Sequence, residues 1–361
     1  MRALGSDITY INGTYVIEPG PCSGGLRPAV LRCGESGSTV RFLIPYALVM
    51  GRESVLVMEG RLPDRPLDPL LDTLAKHGGR FYRPVRNRLI ACGKIGPGEY
   101  EIDGSLSSQF VSGLMMALGA VGGRSVIRVT GNEASKPYIG LTARTLKQFG
   151  ADVTEDGPVI RIEGTGYRPS NVLAEGDWSN AAVFLCAGAV SGGEVTVTGL
   201  DTGSVQGDRK ILDILKAAGA QVKAAGDSVT VSGGNMTGFE ADAGDIPDLV
   251  PVMAVLAASC HGTSVISGCS RLRLKESDRI ESVCSMIESL GGTVSENDGI
   301  ITVNGTGSLR GGTVGSRGDH RIAMAAAAAA CICGDKVTIE GAEVVSKSFP
   351  GFWDEFGRLC E

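Results

Sequence analysis

The chain is short of the residues that build metal centres and disulfide frameworks. Its 361 residues include only three histidines, His77, His261 and His320, which argues against a metal site. The ten cysteines are scattered without a CxxC pair, and Cys331-Ile332-Cys333 is their closest spacing. Such usage reads as buried thiols in a reducing compartment, not as crosslinks or zinc ligands. Positive charge is also scarce. Net charge is −6 and no lysine precedes Lys76, so neither nucleic acid nor an anionic membrane is expected as a partner. Any anion site must be local, built against the overall field. Long apolar runs are missing too. The longest, Ile322 to Cys333, is rich in alanine and too short to span a bilayer; it reads as a tightly packed interior helix. Met1-Arg2-Ala3-Leu4-Gly5 lacks the apolar centre of a signal peptide. The expected setting is the cytoplasm.

What the chain has in quantity is glycine, 53 residues of it, placed at a regular interval. A polar glycine turn, an apolar small-residue helix and a strand recur five times, with turns starting at Gly34, Gly104, Gly176, Gly244 and Gly318. The steps are 70, 72, 68 and 74 residues. Between these half-units stands another: an amphipathic helix, a glycine cap and a two-strand hairpin, as in Ile280–Leu290, Gly291-Gly292 and the strands after them. A repeat of this kind is one supersecondary unit copied along the chain. The chain begins inside such a second half-unit, with Met1–Leu4 as a helix end, Gly5 as its cap, and Asp7–Ile11 and Thr14–Ile17 as the hairpin. A first half-unit upstream is therefore expected to be missing.

The turns carry the chemistry. Gly34-Glu35-Ser36-Gly37-Ser38 and Gly104-Ser105-Leu106-Ser107-Ser108-Gln109 open helices with hydroxyl and amide donors. Backbone N–H groups at a helix start point at a ligand, and the dipole favours negative charge. One such turn alone is ordinary capping; recurrence at one period suggests several helix starts facing one cleft. Cations lie close by: Arg41, Arg65, Lys136, Arg321 and Lys347. Each alone is a surface charge by default, but arginine at several loop tips suits phosphate and carboxylate. The densest stretch is Leu274-Lys275-Glu276-Ser277-Asp278-Arg279. Cations at a helix N-terminus oppose its dipole, so an anion is expected beside Lys275 and Arg279. Asp248 and Glu276 are candidate acid–base groups. Their plain alternatives are an N-cap for Asp248 and a surface ion pair for Glu276. His320 reads as a capping or structural histidine.

These stretches, with Asp64-Arg65-Pro66, Ser135-Lys136-Pro137-Tyr138-Ile139, Glu175-Gly176-Asp177, Asp319-His320-Arg321 and Lys347-Ser348-Phe349-Pro350, occur together and in order. In that combination the chain resembles the EPSP synthase (3-phosphoshikimate 1-carboxyvinyltransferase) family from Met1 to Glu361. The resemblance implies an α/β (α+β) fold, a two-domain inside-out α/β barrel of repeated βαβαββ units. The domains would run over 1–174 and 175–361, with the active site in the cleft between them. It implies a transferase that moves the enolpyruvyl group of phosphoenolpyruvate to the 5-hydroxyl of shikimate 3-phosphate and releases phosphate. No metal or organic cofactor is implied; the partners are the two small substrates, and the protein is expected to be a monomer. By matched position, Asp248 takes the 5-hydroxyl proton, and Glu276, beside Lys275, protonates the methylene carbon. Ser107, Ser108, Gln109, Ser135, Tyr138, Asp248 and Lys275 bind shikimate 3-phosphate. Gly37, Arg65, Gln109, Arg279, Arg321 and Lys347 bind phosphoenolpyruvate.

There are departures. The family's N-terminal Gly/Pro-x-x-Lys-Ser segment, with the arginine after it, has no counterpart before Gly34. The chain as written is therefore expected to lack a cationic ligand and to be poorly active or inactive. Glu35 and Arg271 stand where relatives carry asparagine. Two rival readings stay open. One is UDP-N-acetylglucosamine enolpyruvyl transferase, for which Cys22 in Pro21-Cys22-Ser23-Gly24-Gly25 would be the reactive thiol. The other is a non-catalytic phosphoshikimate-binding relic.

Overall fold

The structure is a computed structural model that describes residues 1–20, 28–131 and 135–360. Cys22, on which one rival reading turned, lies outside the described residues. Two compact units divide the chain, residues 1–172 and 173–361.

Among the described residues each glycine turn except that at Gly176 sits inside a strand–helix–strand half-unit; the Gly176 turn leads into a helix and a following strand only. In the first unit the strand Ala29–Gly34 leads into helix α1 (Gly37–Val49), and the strand Ser54–Met58 returns parallel to it. Helix α2 (Asp68–Lys76) follows, then the antiparallel hairpin Gly79–Val85 and Arg88–Gly93. The next copy has Glu99–Asp103, α3 (Ser108–Gly119) and Gly123–Thr130, again parallel, then α4 (Lys136–Gln148) and the hairpin Asp152–Asp156 with Val159–Gly164. Both copies close into four-stranded sheets in which the hairpin's second strand lies beside the returning strand. The incoming strands are absent from the sequence pattern above. They are short and stop at the turn, so nothing marks them as separate from it. The opening helix end is also corrected, to a single 3-10 turn over Arg2–Leu4. Gly5 caps it at φ 101°, and the hairpin Ser6–Ile11 with Thr14–Pro19 follows.

The second unit repeats the scheme with α5 (Trp178–Val190), α6 (Ile211–Ala217), α7 (Val250–Ser259), α8 (Arg279–Ser289), α9 (His320–Ala330) and α10 (Phe352–Gly357). Its sheets have three, four and two strands. The turn Asp298-Gly299 has φ 49° and 76°. Two successive positive φ values let a two-residue hairpin follow the twist of its strands, and Asp-Gly tolerates them best.

Burial explains which layer is inside. Helix α7 is apolar on every side and all ten of its residues are buried. Helix α5 is buried from Trp178 to Ala189 apart from Asn180, and α9 from Arg321 to Ala329. A helix without a polar face has nowhere to go but the interior, so these three fill the unit and pack on one another. The strands alternate buried and less buried side chains, the latter half-buried in the case of Ser228–Ser232, and wrap the outside. The apolar run ends sooner than expected: Ala330 and Cys331 are exposed.

In the first unit α1 lies on α3, and Gly113 makes the approach possible. A Cβ there would stand 2.5 Å from the Arg41 carbonyl oxygen, a backbone atom that cannot swing aside. Gly113→Ala should cost about 1–3 kcal/mol in urea unfolding and shift Arg41 from Gln109. An unchanged midpoint would show that the helix pair has slack. Among the described residues no helix is long and apolar enough to cross a membrane.

Candidate active site

In the second unit, three helix starts meet around one guanidinium. Arg279, the first residue of α8, is 1% exposed. Its Nε donates to Asp319 Oδ2 at 2.9 Å, Nη2 to Asp319 Oδ1 at 3.2 Å and to Glu276 Oε2 at 2.8 Å, and Nη1 to Asp248 Oδ1 at 2.6 Å. The anion expected beside this cation is thus supplied by the protein, as three carboxylates. Four of the five guanidinium hydrogens are committed. One N–H on Nη1 remains.

Asp319 is fully buried. It caps α9 by accepting the Arg321 N–H at 3.0 Å, and it takes the Ser277 hydroxyl at 3.1 Å. Sequence reasoning gave it no role, although an aspartate directly before a His-Arg helix start was the available signal. Asp248 is not an N-cap. It lies in the 3-10 turn Pro247–Leu249 before α7, makes no cap bond, and accepts instead from Arg279 and from Lys275 Nζ at 3.3 Å. Burial alone would raise its carboxyl. Lys275, Arg279 and Arg321 together outweigh burial and hold it well below the ordinary carboxylate range. Glu276 accepts from the buried Arg279 guanidinium at 2.8 Å. Two carboxylates, Asp248 and Glu276, therefore sit on one buried guanidinium with Lys275 alongside.

Arg321 is 8% exposed. Its Nη2 donates to Ser179 Oγ at 2.6 Å and Nη1 to Asn180 Oδ1 at 3.1 Å, both in the first turn of α5. Lys347 Nζ donates to the Gly318 carbonyl at 3.1 Å in the turn before α9. His320 is pushed down to about 4, first by burial and then by Arg321. It is thus neutral at pH 7 when folded, and between pH 4 and 6.5 the unfolded chain binds more protons there. Stability falls as pH drops through that window, by at most roughly 3 kcal/mol. Urea midpoints at pH 7 and pH 5 should differ less in His320→Gln; an equal difference would place the titrating group elsewhere.

In the first unit a second cluster forms. Helix α1 starts at Ser36, whose hydroxyl oxygen accepts the Thr39 N–H at 3.2 Å. A Cβ on Gly37 would stand 2.9 Å from Arg65 Nη1 and 3.2 Å from Arg41 Nη1, so the glycine makes room for two guanidinia. Arg41 is 5% exposed. It donates to Gln109 Oε1 at 2.6 Å and lies 5.1 Å from the Phe110 ring centroid. Arg41, named above among the cations near the turns but in neither ligand set, is the anchor here; its burial has no mark in the local sequence. The loop before Arg65 is gripped from the hairpin: Arg86 forks onto Asp64, and Arg83 Nη1 donates to the Pro63 carbonyl at 2.9 Å. The Ser107 hydroxyl oxygen caps α3 by accepting the Gln109 N–H at 3.2 Å, and Ser108 is buried. Ser135 caps α4 in the left-handed region, φ 53° and ψ 48°, without a side-chain cap bond. A left-handed non-glycine residue costs about 1–2 kcal/mol. Tyr138 lies one turn on, where Thr142 Oγ bonds the Tyr138 carbonyl and Ser112 Oγ, each at 2.8 Å, and so ties α4 to α3.

The expected residues thus gather into Gly37, Arg65 and Gln109, joined by Arg41; Ser107, Ser108, Ser135 and Tyr138 on the starts of two packed helices; and Asp248, Lys275, Glu276 and Arg279. Arg321 meets the last group through Asp319, and Lys347 holds the turn beside it. No cluster of metal-ligating side chains occurs among the described residues. The eight described cysteines are free thiols, and Cys33, Cys186, Cys260 and Cys269 are buried.

Comparison with known proteins gives one answer. The family profile for EPSP synthase (3-phosphoshikimate 1-carboxyvinyltransferase) matches residues 1–356. A 3-phosphoshikimate 1-carboxyvinyltransferase of Clostridium kluyveri is 41% identical over 365 residues, covering 99% of this chain and 84% of the relative. One of Methanospirillum hungatei is 36% identical, covering 91% and 78%. The EPSP synthase structure of Acinetobacter baumannii superposes with a TM-score of 0.78 at 25% identity, covering 99% and 85%. The enolpyruvyl transferase NikO of Streptomyces tendae shares the fold, with a TM-score of 0.77 at 20% identity over 99% and 84%. The chain belongs to the EPSP synthase (3-phosphoshikimate 1-carboxyvinyltransferase) family.

Proposed function

We propose a division of labour among these residues for the family's reaction. The enzyme transfers the enolpyruvyl group of phosphoenolpyruvate to the 5-hydroxyl of shikimate 3-phosphate. Asp248 accepts the hydroxyl proton as the oxygen attacks C2 of phosphoenolpyruvate. Glu276 delivers a proton to C3, consuming the double bond and giving a tetrahedral intermediate. Loss of phosphate from C2 and of a proton from C3 restores the double bond. The observation that carries this reading is the single buried guanidinium holding both carboxylates, Asp248 at 2.6 Å and Glu276 at 2.8 Å. It fixes the two groups relative to each other, and geometry of that kind is what proton transfer in a bound complex requires.

The low Asp248 pKa makes the carboxylate a weak base while its cations are unopposed. Anionic substrates supply the opposing charge. Their phosphate and carboxylate groups offset Lys275 and Arg321 and raise the basicity of Asp248 when both reactants are present. Ser107, Ser108, Gln109, Ser135, Tyr138 and Lys275 bind shikimate 3-phosphate in this scheme. Gly37, Arg65, Gln109, Arg321 and Lys347 bind phosphoenolpyruvate, with Arg279 contributing its remaining Nη1 hydrogen. Closure around the reactants keeps water from the intermediate. We also assign a monomer in the cytoplasm, consistent with free thiols and a biosynthetic reaction on small substrates.

The test is phosphate release from phosphoenolpyruvate with and without shikimate 3-phosphate. Dependence on shikimate 3-phosphate, at whatever rate, is the expected signature. Shikimate 3-phosphate binding without any release would favour the relic reading.

A further inference from the structure

We propose that Ser179 and Asn180 are positioning residues that set the orientation of Arg321 toward phosphoenolpyruvate. The proposal rests on the reading that Arg321 holds that substrate, and it extends the site to a helix for which the sequence supplied no ligand.

Hydrogen-bond polarity fixes which atoms of α5 can meet Arg321. Asp177 Oδ1 caps α5 by accepting the N–H groups of Ser179 at 2.8 Å and Asn180 at 3.3 Å, and it accepts the Ser179 hydroxyl at 2.5 Å. The single hydroxyl hydrogen of Ser179 is therefore committed to the carboxylate. What remains on Oγ is acceptor capacity, and Arg321 Nη2 fills it at 2.6 Å. Asn180 turns its amide oxygen to Nη1 at 3.1 Å, the only orientation a guanidinium, which solely donates, can use. Both terminal nitrogens are thus pinned from one helix turn. The other end is pinned as well, because the Arg321 backbone N–H is the cap bond to Asp319.

A guanidinium held in this way cannot rotate its plane. Its Nε is buried and has no hydrogen-bond partner among the described residues. A buried cation with an unmatched donor calls for an acceptor that carries negative charge. A carboxylate or phosphate oxygen of phosphoenolpyruvate supplies both. Arginine's fork recognises such groups only in the right plane, so the two α5 side chains decide whether that plane is presented. A loss at Ser179 or Asn180 must then act through Arg321 and on one substrate.

The experiment is steady-state kinetics on Ser179→Ala, Asn180→Ala and Ser179→Thr, each also combined with Arg321→Lys. The expected result is a rise of about tenfold in KM for phosphoenolpyruvate in each alanine variant, with KM for shikimate 3-phosphate within about twofold. Ser179→Thr, which keeps the hydroxyl, restores the wild-type value. In the Arg321→Lys background neither alanine change lowers kcat/KM further, because the orientation they set is already gone. Asn180→Ala leaves the Asp177 cap intact, so it remains informative if Ser179→Ala folds poorly. The proposal is overturned if both KM values rise together, if threonine fails to rescue a folded protein, or if the effects multiply with Arg321→Lys. If the wild type shows no release dependent on shikimate 3-phosphate, the reading of the reaction fails before this comparison begins.

Discussion

Arg279→Leu should lower stability by about 3–5 kcal/mol, measured as the urea unfolding free energy. The reason is what it leaves behind. Asp319 is fully buried and meets the guanidinium twice, at 2.9 and 3.2 Å. Removing one member of a buried ion pair strands the other charge in a medium that solvates it poorly, and that penalty exceeds the worth of the pair itself. Asp248 and Glu276 lose a partner in the same step, and with it their fixed separation, so activity should vanish even where the variant folds. A second substitution separates the causes. Asp319→Asn in the Arg279→Leu background removes the stranded charge yet keeps a side chain that can cap α9. It should recover a substantial part of the lost stability and none of the activity. A loss below about 1 kcal/mol in the single variant would mean that water reaches the cluster.

Asp248→Asn should lower kcat by roughly 10²- to 10⁴-fold, the usual contribution of a general base. Asparagine keeps the shape and an acceptor for Lys275 and Arg279 but cannot take a proton. The pH profile of the wild type gives a finer check. In the free enzyme Lys275, Arg279 and Arg321 overcome burial and depress the Asp248 carboxyl, so the acid limb of kcat/KM should lie below the ordinary carboxylate range. Bound anions oppose those cations, so the acid limb of kcat should lie at higher pH. Coincident limbs would show that the substrates do not alter the charge around Asp248.

How much of this was legible in the sequence depends on what each feature answers to. The repeat was, because each half-unit restates its own local grammar: a capping residue, a small-residue apolar helix and a glycine where the chain turns. A strand follows each glycine-turn helix as the pattern has it, Ser54–Met58 after α1 for one, and α7 is entered through the 3-10 turn Pro247–Leu249. The incoming strands were not, because Glu99–Asp103 alternates too briefly to stand out from the loop beside it. Site membership was legible where charge is crowded, at Lys275–Arg279. The partners were not. Nothing near Asp319 says that it meets a guanidinium 40 residues earlier in the chain, and Arg41 looked like a surface cation until α3 covered it. Those facts belong to packing, which periodicity does not encode.

The measurement that tests the central claim most directly is the reaction run in D₂O with shikimate 3-phosphate and phosphoenolpyruvate, with deuterium located in the product by mass spectrometry and NMR. If Glu276 protonates C3 and the proton is later lost, product formed by wild type carries deuterium in its enolpyruvyl methylene, and Glu276→Gln slows deuterium entry and phosphate release together. Phosphate released with no deuterium in the methylene, or a Glu276→Gln enzyme that labels at the wild-type rate, would contradict the pairing of two carboxylates on one buried arginine as the proton-transfer apparatus.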